Sequence, residues 1–216
     1  MITLYKSHID EFDSQVNGGE ITDEVIESGV IENVIPNVRP FTAEMGGERW
    51  FKFFIKAEVD LVTIGVDIAK VTDSDSEEVF LALGGDSDVE DDIDKDNIRL
   101  YGGFIVENVD NENFKITADR DVSGFVKADD LVTFYKEESR LIALKVKEVN
   151  NNEITFNNFG DKVIEIGDNG SSTLFIDELN ANEAQGIWIK NIIGPYTEAM
   201  EEPPNSFILN VWFDVK

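Results

Sequence analysis

The chain has 216 residues, 42% of them hydrophobic, and a formal charge of −27. So acidic a balance argues against partners that present phosphates, whether nucleic acid or an anionic lipid surface, because both demand clustered Lys and Arg. With no cysteine there are no disulfides, no thiolate chemistry and no cysteine-bound zinc, while 15 Phe supply ample material for packed cores. The length suits one large domain or two small ones. The acidity reads first as a solubility device, and more sharply as a cation-binding surface or a face for a basic partner. The stretch Met1–His8 lacks the apolar core of a signal peptide, and no run is long enough to span a membrane. The expectation is a chain that starts at Met1 and is made in the cytoplasm.

Residues 1–35 hold few large apolar side chains and are broken at Gly18-Gly19 and Gly29. Thr22 could cap a helical turn over Thr22–Glu27, but the composition favours an extended N-terminal arm. Such an arm packs along a sheet or onto a neighbouring subunit. Ile35–Pro40 is turn-rich, and Met45-Gly46-Gly47-Glu48 is a tight turn. The strand that follows, Arg49–Lys56, sets Phe51, Phe53 and Ile55 on one face and Trp50 and Phe54 on the other. Both faces being apolar predicts a strand covered on both sides. Leu61–Lys70 alternates too, with Val62, Ile64, Val66 and Ile68 as its core face. Val79–Leu83 is a third strand, ended by Gly84-Gly85.

Two acidic clusters flank that third strand, 73–78 and 86–96, and the second reads as a linker. From 97 to 170 short strands recur between Asn, Asp and Gly: Ile98–Val106, Asn113–Ala118, Leu131–Lys136, Leu141–Val149, Glu153–Asn157 and Lys162–Ile166. Val149–Glu153 is a hairpin turn, since asparagine tolerates left-handed backbone. Strands near 173–177, 186–193 and 206–215 return to the aromatic texture of the first segment. The fold class is therefore all-β: a discontinuous β-sandwich with an inserted small β-barrel-like domain and an extended N-terminal arm. The divisions are 1–35 for the arm, 36–94 and 171–216 for the two parts of the sandwich, and 95–170 for the insert. Two consecutive domains meeting near 94 are the alternative.

No catalytic constellation emerges, and no cofactor is expected. His8 is the one histidine, which excludes a histidine triad or a multi-histidine metal site within one chain. Glu48 and Asp214 lie near aromatic strands and would be the carboxylate pair of a glycosidase, although solvated strand-end acids explain them as well. Asp86, Asp88, Glu90 and Asp92 alternate as calcium ligands do in a loop, and Asp73, Asp75 and Glu77 repeat the pattern more weakly. An EF-hand is ruled out because its sixth position, a glycine, is Asp91 here, and its twelfth, a glutamate, is Asn97. Gly46-Gly47, Gly84-Gly85 and Gly102-Gly103 lack the Lys-Ser/Thr of a phosphate loop and read as turns or bulges. Trp50, Trp188 and Trp212 are core residues first and a sugar platform second.

The segment Gly46–Lys56, approached through Pro36-Asn37-Val38 and Ala43-Glu44, resembles a strand motif of structural proteins of tailed bacteriophages, with Ala57 where that motif has Asn. Gly18–Thr22 resembles the family's N-terminal stretch, and Gly186–Lys190 with Ile193-Gly194-Pro195 its later strand and turn. Residues 95–170 take no part in the likeness. The resemblance implies a non-enzymatic virion component of the tail, baseplate, neck or capsid surface. Its partners would be other virion proteins and copies of itself, with arm and strand edges making the contacts. A carbohydrate- or receptor-binding module is the rival, with Trp188, Trp212 or Tyr196 as the stacking surface.

Overall fold

A computed structural model describes residues 1–27, 35, 38–70, 77–136, 139–161, 163–195 and 207–216. Among them the regular structure is nearly all β. The strands are β1 (Ile2–His8), β2 (Gly18–Val25), β3 (Gly47–Ala57), β4 (Leu61–Lys70), β5 (Glu77–Leu83), β6 (Tyr101–Asp110) and β7 (Lys115–Ala118). They continue as β8 (Leu131–Lys136), β9 (Ser139–Asn150), β10 (Glu153–Phe156), β11 (Asn169–Ser172), β12 (Leu174–Ile176), β13 (Ala184–Ile193) and β14 (Phe207–Val215). A short helix, α1 (Pro40–Met45), precedes β3, and one 3-10 turn covers Glu90–Asp92.

The alternation in β3 does what the sequence predicts. Phe51, Phe53 and Ile55 enter one core while Trp50, Lys52 and Phe54 are buried on the other side. β3 is central in its sheet, paired antiparallel with β1 and β13. The first core lies between β1, β3, β13 and β5 in one layer and the three-stranded sheet β12-β4-β14 in the other. Ile64, Val66 and Ile68 of β4 fill it, as the strand's alternation predicts, but Val62 points outward. Each large side chain removed from water here is worth about 2 kcal/mol.

The eleven-stranded sheet runs β11-β8-β9-β10-β7-β6-β5-β13-β3-β1-β2, and β11 pairs back onto β6. That closure makes a six-stranded barrel from β6 to β11, so β6 belongs both to the barrel and, through Phe80↔Gly102, to the sandwich layer. The barrel is filled rather than hollow, as small barrels are. Phe104, Phe134 and Phe156 pack edge to face at 6.3 and 5.8 Å, with Val106, Ile116, Val146 and Ile154 around them.

The N-terminal segment packs along a sheet, one of the two placements expected of it: β1 and β2 form an antiparallel pair on the edge of the large sheet beside β3. Three expectations are corrected. Thr22–Val25 is strand, so the helical turn that Thr22 could cap is not formed. Lys162–Ile166 is not a strand in its described residues 163–166. The barrel closes instead with β11, whose sequence Asn-Gly-Ser-Ser carries no apolar signal. Gly170 is required there, since a Cβ would stand 2.2 Å from the Phe104 ring. Finally, the acidic run 86–96 is no loose linker but is packed against the sheet, through contacts described next.

Candidate functional site

Among the described residues four charged side chains are buried, Arg49, Lys52, Asp67 and Asp168, and two of these, Lys52 and Asp67, tie separate elements together on opposite sides of the sandwich. The first is Lys52, in the middle of β3 and 1% exposed. A buried ammonium has to satisfy three N–H bonds or be neutralised. Lys52 Nζ donates to the Gly19 carbonyl at 2.9 Å, to the Asp88 carbonyl at 3.0 Å and to the Asp88 carboxylate. The second Asp88 oxygen accepts from Trp188 Nε1 at 2.9 Å. Burial pushes the Asp88 carboxyl up, but the hydrogen bonds from Lys52, Trp188 and the Gly85 backbone outweigh it, and its pKa lies below the ordinary aspartate value. Local backbone makes the contact possible. Gly18 sits at φ +97° with the Trp188 ring where a Cβ would be, which lets the β2 backbone close over Lys52. The neighbouring loop is tied in by buried Asn17, whose Nδ2 donates to the Trp50 carbonyl and to Glu90, each at 2.8 Å.

These contacts decide the fate of the calcium candidates. Asp88 turns inward to Lys52; Glu90 is engaged by Asn17 and by Lys95 Nζ at 2.6 Å; Asp92 accepts from the Val89 N–H at 3.0 Å as a cap; Asp86 is exposed on the loop. They do not converge, and among the described residues no group of three or more His, Asp or Glu is placed to hold a metal ion. Asp73, Asp75 and the Glu77 side chain lie outside the described residues.

The carboxylate pair also separates. Glu48 belongs to β3, opposite Ile192 of β13, whereas Asp214 is at the exposed end of β14, opposite Thr63. Glu48 is engaged by Trp50 Nε1 and by Lys190 Nζ at 2.8 Å. Burial raises its pKa, but those two hydrogen bonds more than offset it, so the net shift is downward and Glu48 is no proton donor near neutrality. His8 is exposed at the end of β1.

The proposed sugar platform is dismantled by packing. Trp188 is fully buried against Trp50, rings edge to face at 6.5 Å. Trp212 is half-buried in the other sheet, beneath the Arg140 guanidinium at 4.3 Å, and Tyr196 lies outside the described residues. Trp50 and Trp188 sit on strands covered on two sides, so Trp188 and Trp212 share no open face.

The second buried charge was not anticipated. Asp67 of β4 is fully buried where the three-stranded sheet meets the barrel. Its Oδ1 accepts from Thr173 Oγ1 at 2.6 Å, and its Oδ2 from Tyr135 Oη at 2.7 Å and Trp212 Nε1 at 2.9 Å. Thr173 Oγ1 lies 3.0 Å from Thr133 Oγ1, extending the network into β8. Burial raises the Asp67 pKa above its ordinary value despite those three donors, and burial beside Asp67 pushes the Tyr135 phenol up as well. Sequence alternation had placed Asp67 on the polar face of its strand, and nothing local marks that face as covered by a barrel. Lys52 did leave a trace: a lysine between Trp50 and Phe54, on a strand apolar on both faces, must find a partner.

Both networks are saturated, so neither offers a free base, nucleophile or ligand site. Two concavities among the described residues are no more suited to chemistry. One, among Ile68, Phe80, Gly103 and Phe207, has about 10 Å³, room for a single water. The other is an open depression on the barrel near Ile105, Glu107, Asp119 and Ile166. No helix among the described residues is long and apolar enough to cross a membrane. Comparison with family models, with curated proteins and with solved structures finds no match.

Proposed function

We propose that this chain is a non-enzymatic structural component of a tailed-phage virion, working in the tail, baseplate, neck or capsid surface. It assembles with other virion subunits and with copies of itself through its β-domains and N-terminal segment, and it is made in the host cytoplasm. The observation that carries this is the filled interior. The barrel holds phenylalanines instead of a cavity, and the buried Lys52 and Asp67 are spent on internal bonds. What remains for function is surface and strand edge, which is how assembly proteins meet their neighbours. The motif resemblance at Gly46–Lys56, Gly18–Thr22 and Gly186–Lys190 supports the phage assignment, and the charge of −27 suits a protein that must not adhere to packaged DNA.

Genetic removal tests it. An amber mutation in the gene should yield incomplete particles by electron microscopy, restored by supplying the protein in trans. Complete, infectious particles without the protein would reject the assignment.

A further inference from the structure

Among the described residues three strands end a sheet: β2, β12 and β14. An exposed edge is a template for another chain, and monomeric proteins blunt such edges with charge, bulges or brevity. Two of the three are blunted. β2 carries Glu20, Asp23 and Glu24, and its register with β1 is interrupted twice. β12 has three residues and runs into Asp177 and Glu178.

β14 is the least protected: its one acid, Asp214, and its one register irregularity, between Asp214 and Val215, both lie at its C-terminal end. It runs nine residues, Phe-Ile-Leu-Asn-Val-Trp-Phe-Asp-Val, with one acid and no Lys, Gly or Pro. Its pairing with β4 is regular from Phe207 to Asp214. In a chain of net charge −27, this is the edge spared from charge. Its core-facing side chains, Phe207, Leu209 and Val211, are only partly buried, because the sandwich core stops at this strand. Beyond them on the same face, Phe213 is 37% and Val215 59% exposed.

We propose that β14 pairs antiparallel with β14 of a second copy, about a two-fold axis at Val211. The strand is complementary to itself in that register. Val211 meets its own counterpart, Leu209 meets Phe213, and Phe207 meets Val215, so the apolar face runs unbroken from one copy into the next. Asn210 falls opposite Trp212 on the other face. Asp214 lies opposite Ile208, which sets the two Asp214 side chains six residues apart, or about 20 Å at ~3.4 Å per residue. That is well beyond the screening length of about 8 Å at physiological salt, so the strand's own acids do not oppose the pairing. The product is one continuous six-stranded sheet in which both β14 edges are paired and the short β12 strands form the ends, an isologous contact of the commonest kind.

Sedimentation velocity on the full chain alone, from low-micromolar to millimolar concentration at physiological salt, tests this apart from any virion role. A concentration-dependent dimer is expected. Phe213→Lys, at a side chain exposed in the single copy, weakens it by more than about tenfold while leaving the fold intact. The chain has no cysteine, so Val211→Cys is a clean probe. Residues opposite across an antiparallel pair have Cα atoms about 4.5–5.5 Å apart, within disulfide reach. Mild oxidation links Val211→Cys copies covalently and leaves Asn210→Cys copies, which face Trp212, unlinked. A monomer at every concentration overturns the proposal, even if the edge is occupied in assembled particles, where a strand of another protein would then hold it. A dimer indifferent to Phe213→Lys overturns it equally.

Discussion

Replacing Lys52 with methionine is expected to destabilise the fold by about 3 kcal/mol, at the low end of the cost of breaking a buried ion pair. Methionine keeps the length and apolar stem but removes three donors, leaving the Gly19 and Asp88 carbonyls and the Asp88 carboxylate without their partner. The low end applies because the Asp88 side chain is a quarter exposed and can recover some hydration. Thermal melting should show a fall of about 8 °C for a chain of this size. The loss should be local first. Hydrogen exchange ought to quicken in 84–93 and in β2, which Lys52 joins to β3, before it quickens in the barrel. The pH profile adds a second signature. Asp88 has a folded pKa below its unfolded one, so its contribution is complete above the ordinary aspartate range and is lost as pH falls towards the depressed value. Lys52→Met removes much of that acid-side loss along with the stability itself. An unchanged melting temperature would mean the buried ammonium is dispensable.

Asp67 is expected to behave in the opposite sense. Asp67→Ala leaves Tyr135 Oη, Thr173 Oγ1 and Trp212 Nε1 without their shared acceptor in a buried site, and should cost about 3 kcal/mol. Asp67→Asn should cost only about 1 kcal/mol. Its carbonyl can serve Tyr135 and Trp212 together, while its amide donates to Thr173, whose own hydrogen turns to Thr133. Burial raises the folded pKa of Asp67, so the folded state binds its proton more tightly than the unfolded chain does. Stability conferred at this site is greatest at acid pH, declines as pH rises from the ordinary aspartate range through the raised value, and is level above it. Asp67→Asn should abolish that decline. Equal losses for Ala and Asn would show that packing, not hydrogen bonding, holds the junction. Exchange in β14 is the sensitive local readout, because Trp212 is the side chain through which that strand reaches the network.

The sheet core was legible because its signals are local. The two-residue alternation of Phe51, Phe53 and Ile55 against Trp50 and Phe54 survives any tertiary context that covers both faces. The same holds for Asn151, whose φ of +53° turns β9 into β10 where the asparagine run predicts it. What escaped reading was encoded over long separations. Asp67 meets Tyr135, Thr173 and Trp212 across 68, 106 and 145 residues, and each alone looks like a solvated or strand-end polar group. Asp88 read as part of a solvated acidic linker and as a calcium candidate only through its acidic neighbours, when its partner is a lysine 36 positions earlier. β11 was missed for a related reason. A strand that closes a barrel over Phe104 needs glycine and serine for clearance, and those residues carry turn signals in isolation.

The central proposal, that this acidic β-protein is a built-in part of a phage particle, is tested most directly by counting it. Quantitative mass spectrometry on purified particles from a host carrying the gene should give a fixed copy number relative to the major capsid protein. A few to dozens of copies would point to the neck or baseplate, and hundreds to the tail tube or capsid lattice. Its absence from infectious, complete particles would contradict the account.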